Sequence, residues 1–148
     1  LDKDRTLLVL RNNEVAFSSI QKAVENILDG KPYTMPQTGL AYALSVSALN
    51  GTVTDVRKKF EELKGSSIIK EEEINLAGYG VMERGRLQQA LEMMKINAEL
   101  FPKSWNAFDS LGELYLKNGD RGNAKLNYKK SLELNPQNEG AKKALENL

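Results

Sequence analysis

Among the residues of this chain that recur unchanged 34 positions apart are Gly78 and Gly112, Gly85 and Gly119, Ala90 and Ala124, and Pro102 and Pro136. A fixed interval of this length constrains the fold more than any other feature, because each copy must then be one small helical hairpin stacked on the next. In the later copy Phe108, Leu111, Gly112 and Tyr115 fall at i, i+3, i+4 and i+7, one face of a helix. Asn118-Gly119-Asp120 ends that helix, with Gly119 suited to a left-handed C′ position and Asp120 to capping the next helix. Ala124, Tyr128 and Ser131 mark the inner face of the second helix; Leu132 and Leu134 add apolar surface, and Pro136 follows its end. Small residues at Gly112, Ala124 and Ser131 let the two helices approach, and Phe108 and Tyr128 fill the space that remains.

The earlier copy, residues 71–104, places Met94 at the register of Tyr128 and Ile74 at that of Phe108. One interval further back, residues 37–70 form a degenerate unit. It has Gly51 in the turn, Val56 at the small position, Phe60 at the aromatic position and Leu40 at the packing position. Leu44 stands where the close-packing glycine belongs, and the Pro is missing. Residues 139–148 begin a further helix, suited to covering the last open apolar face. The expected fold is all-α, an α-α superhelix of two clear hairpins and one degenerate hairpin with a C-terminal capping helix, preceded by a short strand and a helix. Thr38 is expected to cap a helix to about Leu49, Thr52 or Thr54 one to about Leu63. Ser66 or Ser67 should precede the helix that opens with Glu71-Glu72-Glu73 near its positive end.

The spacing resembles that of the tetratricopeptide repeat, with Ser131 where that family usually has Ala. The resemblance implies a concave face lined by the first helix of each unit, at its second, fifth, ninth, twelfth and thirteenth positions. In residues 71–104 these are Glu72, Asn75, Tyr79, Met82 and Glu83; in residues 105–138 they are Asn106, Asp109, Glu113, Leu116 and Lys117. The expected ligand is a protein or peptide, with Tyr79 and Met82 as an apolar floor. The family's clamp for peptide C-termini needs Lys and Asn at the fifth and ninth positions. Asn75/Tyr79 and Asp109/Glu113 stand there instead, and two acids repel a terminal carboxylate. The alternative use of this face is internal packing, against a parent catalytic domain or the Ser18–Gly30 helix.

Residues 1–36 read differently. Leu7-Leu8-Val9-Leu10 is a short apolar run of strand character, broken by Asn12-Asn13. Val15, Phe17, Ile20, Val24, Ile27 and Leu28 then form a helical stripe closed by Gly30, and Lys31-Pro32-Tyr33-Thr34-Met35-Pro36 is a stiff linker and the expected domain boundary. A lone strand must pair. Thr6–Arg11 therefore belongs to a sheet formed elsewhere, pairs across chains in a homodimer, or is not a strand. The order D-R-T-L-L-V-L-R-N-N-E, a helix ending I-L-D-G-K-P-Y, then repeats, is similar to the C-terminal end of some β-lactamase-related (class C and penicillin-binding-protein-like) bacterial serine hydrolases. That resemblance implies a remnant of the last catalytic strand and closing helix, a periplasmic or extracellular location, and a chain that is a fragment of a longer enzyme, as its start at Leu1 also suggests.

The chemistry expected of the chain itself is non-catalytic. The two S-x-x-K matches, Ser19-Ile20-Gln21-Lys22 and Ser67-Ile68-Ile69-Lys70, lack a Tyr-x-Asn or K-T-G companion. They read as surface Ser and Lys at helix ends. With no His and no Cys, the usual general base, zinc ligands and thiolate chemistry are missing, and no metal or cofactor is expected. Glu61-Glu62, Glu71-Glu72-Glu73 and Asp109/Glu113 read as solvated helix faces, and Asp120 as a cap. Lys and Arg number 21 against 20 Asp and Glu, so nothing favours nucleic acid, and no run of 18 apolar residues suggests membrane insertion.

Overall fold

In a computed structural model the chain divides into two units, residues 1–37 and 38–148. The described residues are 26, 29–31, 39–65 and 69–148. The expected Thr6–Arg11 strand, most of the helix that follows it, Thr38, Ser66, Ser67 and both S-x-x-K serines lie outside them. In the first unit the Lys31 amide donates to the Asn26 carbonyl (2.8 Å) across Gly30, whose φ is +65°. That is the six-to-one bond of a glycine-terminated helix, the role expected of Gly30.

The second unit is all-helical, an α-α superhelix. Its helices are α1 (Leu40–Asn50), α2 (Val53–Leu63), α3 (Glu71–Glu83), α4 (Leu87–Leu100), α5 (Trp105–Lys117), α6 (Arg121–Leu134) and α7 (Glu139–Glu146). Helices α1/α2, α3/α4 and α5/α6 are hairpins. The first helix α3 packs on α1, α4 packs on α2 and α5, and α7 closes on α6.

Each hairpin is drawn together by the residues at the repeat interval. A Cβ on Gly78 would lie 2.8 Å from Met94 Cε, and one on Gly112 would lie 3.1–3.2 Å from three Tyr128 ring atoms. The glycine of one helix therefore receives the large side chain of the other. Ala90, Ala124 and Ser131 are fully buried, as are Leu40, Leu44, Val56 and Phe60 in the degenerate hairpin. Turns repeat as well. Gly85 and Gly119 have φ of +77° and +80°. Around them Arg86 N–H bonds Val81 O and Asp120 N–H bonds Tyr115 O, while Gly85 and Gly119 N–H reach Met82 O and Leu116 O. Both helices thus end in the same two-bond left-handed cap. Asp120 is also the N-cap of α6, accepting from Asn123 N–H at 3.0 Å.

The degenerate hairpin turns by other means. Gly51 has φ −130°, so it is not chosen for a left-handed backbone. A Cβ there would meet the Ser47 carbonyl oxygen at 2.9 Å, so close approach is what requires glycine. Thr52 and Asp55 then form a reciprocal capping box for α2. The cap expected from Thr38 is instead supplied by the backbone of Gly39, with no side-chain bond, because α1 starts one residue later. The N-cap of α3 is Lys70, again without a side-chain bond. Arg57 ties α2 to α4: its Nε donates to Glu92 Oε1 (2.6 Å) and its Nη1 to Glu99 Oε2 (2.7 Å).

Candidate functional site

The surface expected to bind is built from α1, α3 and α5, the first helices of the hairpins. Their second helices pull the glycine and aromatic side inward, so the opposite stripe of each is left outside. On α3 Glu72, Leu76, Tyr79 and Glu83 stand at i, i+4, i+7 and i+11, which is one line along the helix.

The structure brings several expected residues together, but with one another. Tyr79 Oη donates to Glu113 Oε2 at 2.7 Å, and Lys117 Nζ lies 3.5 Å from Glu113 Oε1. Burial holds the Tyr79 hydroxyl above the ordinary phenol range, and its hydrogen bond to Glu113 adds to this, so it stays a donor. Asn106 Nδ2 donates to Glu71 Oε1 (3.2 Å), which also accepts from Ser104 Oγ (2.6 Å). Asp109 Oδ1 accepts from Asn138 Nδ2 at 2.7 Å. Burial raises the Asp109 pKa; the Asn138 bond opposes the rise and the neighbouring Glu113 charge adds to it. Tyr128, behind this pair, is pushed up to about 12, first by burial and then by the Asp109 and Glu113 charges.

Asn138 was not among the expected site residues, yet it joins three helices. Its Nδ2 also donates to Ser131 Oγ (2.9 Å), and its Oδ1 accepts from Ala141 N–H (3.2 Å) as the N-cap of α7. The buried Ser131 hydroxyl thereby has a partner inside the core. Met82 and Tyr79 are partly buried and packed on the core rather than laid open as a floor. Asn75 is half-buried, and its Oδ1 has no partner among the described residues.

What stays open lies beside those residues. Leu76 is 75% exposed, Tyr42 65% and Val46 42%. Tyr42 and Leu76 share a register, 34 apart, on the neighbouring helices α1 and α3. The same register on α5 holds Ser110, which is buried. Neither residue falls at one of the expected ligand positions of its unit. Glu72 and Glu83 are exposed and have no hydrogen-bond or ion-pair partner among the described residues. A shallow depression of ≈ 490 Å³ at the α4–α5 loop is lined by Glu71, Phe101 and Ser104, and its carboxylate is already engaged.

Among the described residues no group of three His, Cys, Asp or Glu side chains is placed to hold a metal ion, and no helix is long and apolar enough to cross a membrane. Compared with known protein families and with curated proteins, the chain matches none.

Proposed function

We propose that residues 38–148 form a non-catalytic protein-interaction module of tetratricopeptide type, binding a protein or peptide segment on the exposed side of its first helices. The observation that carries this reading is Leu76, a large apolar side chain left 75% exposed in the middle of the helical stack, with its register mate Tyr42 65% exposed on the neighbouring helix α1. An isolated exposed apolar residue is ordinary, but register-matched ones on adjacent helices make a patch. Hairpins nested at the Gly78–Met94 and Gly112–Tyr128 pairs support the repeat reading. The likeness of residues 1–36 to a hydrolase terminus rests mostly on residues outside those described and plays no part in it.

The test is selection of displayed random peptides on the full chain. Enriched peptides should lose binding to Leu76→Asp, a variant whose circular dichroism stays helical because the position is exposed. Peptides that bind wild type and variant equally, or no enrichment at all, would remove the reading.

A further inference from the structure

Helix α6 carries Arg121, Lys125, Lys129 and Lys130 against one acid, Glu133. The chain as a whole is balanced at +1, so this excess is a matter of placement. Ala124, Tyr128 and Ser131 turn one side of the helix into the core, and on the opposite side stands Leu126, 65% exposed. Lys129 and Lys130 follow it at i+3 and i+4, so both flank it on the helix surface. Gly122 precedes it by four, and a Cβ there would meet only Asp120 Oδ1, at 3.7 Å. Bare backbone therefore leaves a notch beside the leucine.

The repeat interval accounts for the open leucine. At the same register on α4 stands Glu92, 8% exposed, where Arg57 of α2 reaches it. The register mate of Arg57 on α4 is Leu91, itself buried, so α4 extends no such arm to α6.

The surrounding charges are accounted for in turn. Lys130 pairs with Glu133 at 2.9 Å, and Arg121 donates to the Asn147 carbonyl. Asp120 accepts from Asn123 as the helix cap. On α5, Asp109 is held by Asn138, and Glu113 by Tyr79 and Lys117. On α7, Glu139 pairs with Lys142, and the unpaired Glu146 stands about 140° round the helix from Ala141, the residue that packs with Tyr128. Lys125 and Lys129 remain, exposed and without a hydrogen-bond or ion-pair partner among the described residues.

We propose that this face of α6 receives an acidic segment bearing an apolar residue. The apolar side chain would seat on Leu126 over the Gly122 notch, and carboxylates would pair with Lys125 and Lys129. The inference goes beyond the role proposed above and rests on a different helix. Charge complementarity selects the sign of the partner, and the size of the patch selects its kind. At about 1.5 Å per residue Lys125 to Lys130 span roughly 7.5 Å of the axis, a length matched by two acids one helical turn apart. A nucleic acid presents phosphate after phosphate, and Glu133 stands where that run would continue. Binding to a lipid surface scales with buried apolar area, and a single leucine supplies little.

The probe is a synthetic Leu/Glu amphipathic helix, compared by fluorescence anisotropy with the same peptide bearing Lys at every Glu. Both are titrated into the full chain. The Glu peptide should bind at least about tenfold more tightly than the Lys peptide. Leu126→Ser should weaken it by about tenfold, a loss of roughly one buried apolar contact. The double variant Lys125→Gln/Lys129→Gln should erase the preference. All three positions are exposed, so circular dichroism should show unchanged helical content in each variant.

Equal binding of both peptides would overturn the acidic partner. Binding of the Glu peptide that survives Leu126→Ser would show diffuse attraction only and overturn the site. Absence of binding by either peptide would overturn the inference. So would tighter binding of single-stranded DNA or of phosphatidylserine vesicles, lost in Lys125→Gln/Lys129→Gln, the face then taking phosphate polyanions. Self-association in sedimentation that Leu126→Ser abolishes would assign the face to a second copy and overturn it as well.

Discussion

At the scale of single residues, the repeat interval places Asn97 where the next unit has Ser131, and both are fully buried. Their surroundings differ. Ser131 accepts from Asn138, but the register mate of Asn138 is Ser104, whose hydroxyl turns to Glu71. Asn97 Nδ2 and Oδ1 are left without a partner among the described residues. An unpaired buried amide costs about 1–3 kcal/mol, while trimming Asn to Ala leaves only a small void. Asn97→Ala should therefore stabilise the chain by about 1 kcal/mol, seen as a higher urea midpoint with unchanged slope. A lower midpoint would mean that the amide is satisfied after all. Asp109 offers a second test. Burial keeps its folded pKa above the ordinary value, so its favourable contribution is complete below that ordinary value and is lost as pH rises through the raised one. Asp109→Asn keeps an acceptor for Asn138 and removes the charge. The variant should gain stability over wild type at neutral pH, and the gain should vanish in acid. The cap acids Asp55 and Asp120 are shifted down and act in the opposite sense, but they cancel in the difference between the two curves. A gain that persists unchanged into acid would sink the argument.

At the scale of elements, two glycine sockets look alike in sequence and differ in what fills them. Gly78 faces the end of the flexible Met94 side chain, whereas Gly112 faces the flat ring of Tyr128. Ala in place of Gly inside a helix gains about 1 kcal/mol of propensity. Met94 can turn its terminal methyl aside, so Gly78→Ala should be neutral or mildly stabilising. Tyr128 has no such freedom, and Gly112→Ala should cost about 1–2 kcal/mol once the ring is displaced. Thermal melts of both variants decide it, and equal shifts would refute the distinction. The hairpins were legible because glycine, alanine and an aromatic at fixed spacing report directly on how closely two helices meet. The Gly85 and Gly119 turns were legible for the same reason, since only a left-handed residue closes that cap. The α1 start was not: a Thr beside a Gly makes two possible caps by residue type, and the helix starts after the Gly. Nor were the polar links. Tyr79 to Glu113 and Asp109 to Asn138 join residues 34 and 29 apart, and no pattern within one helix distinguishes a ligand contact from a brace. The surface that remains open, Leu76 with Tyr42, is visible only once those braces are known.

At the scale of the whole helical unit, the stack is a series of neighbours rather than a single centre, and its apolar interior is divided accordingly. One cluster runs from Leu40 to Leu114; a smaller one holds Ala124, Tyr128 and Ala141, with Leu132 and Leu145 packed against it. Tyr115 touches both. In a linear array, stability is the sum of each unit and its contacts, so the end with the smaller cluster should open first. The capping helix α7 opposes this by covering Tyr128 and Ala124 with Ala141, and through the bonds of Asn138 to Asp109 and Ser131. Removing residues 139–148 uncovers that face at a cost of about 2 kcal/mol. Native-state hydrogen exchange should accordingly show α6 amides exchanging through an opening smaller than global unfolding, with α4 amides protected up to the global value. The truncation should accelerate α6 by more than α4, because the loss falls on the last interface and is passed inward only through Tyr115. Were α4 and α6 to exchange with one free energy, before and after truncation, the unit would be a single cooperative block, and the division of its core would have no energetic meaning.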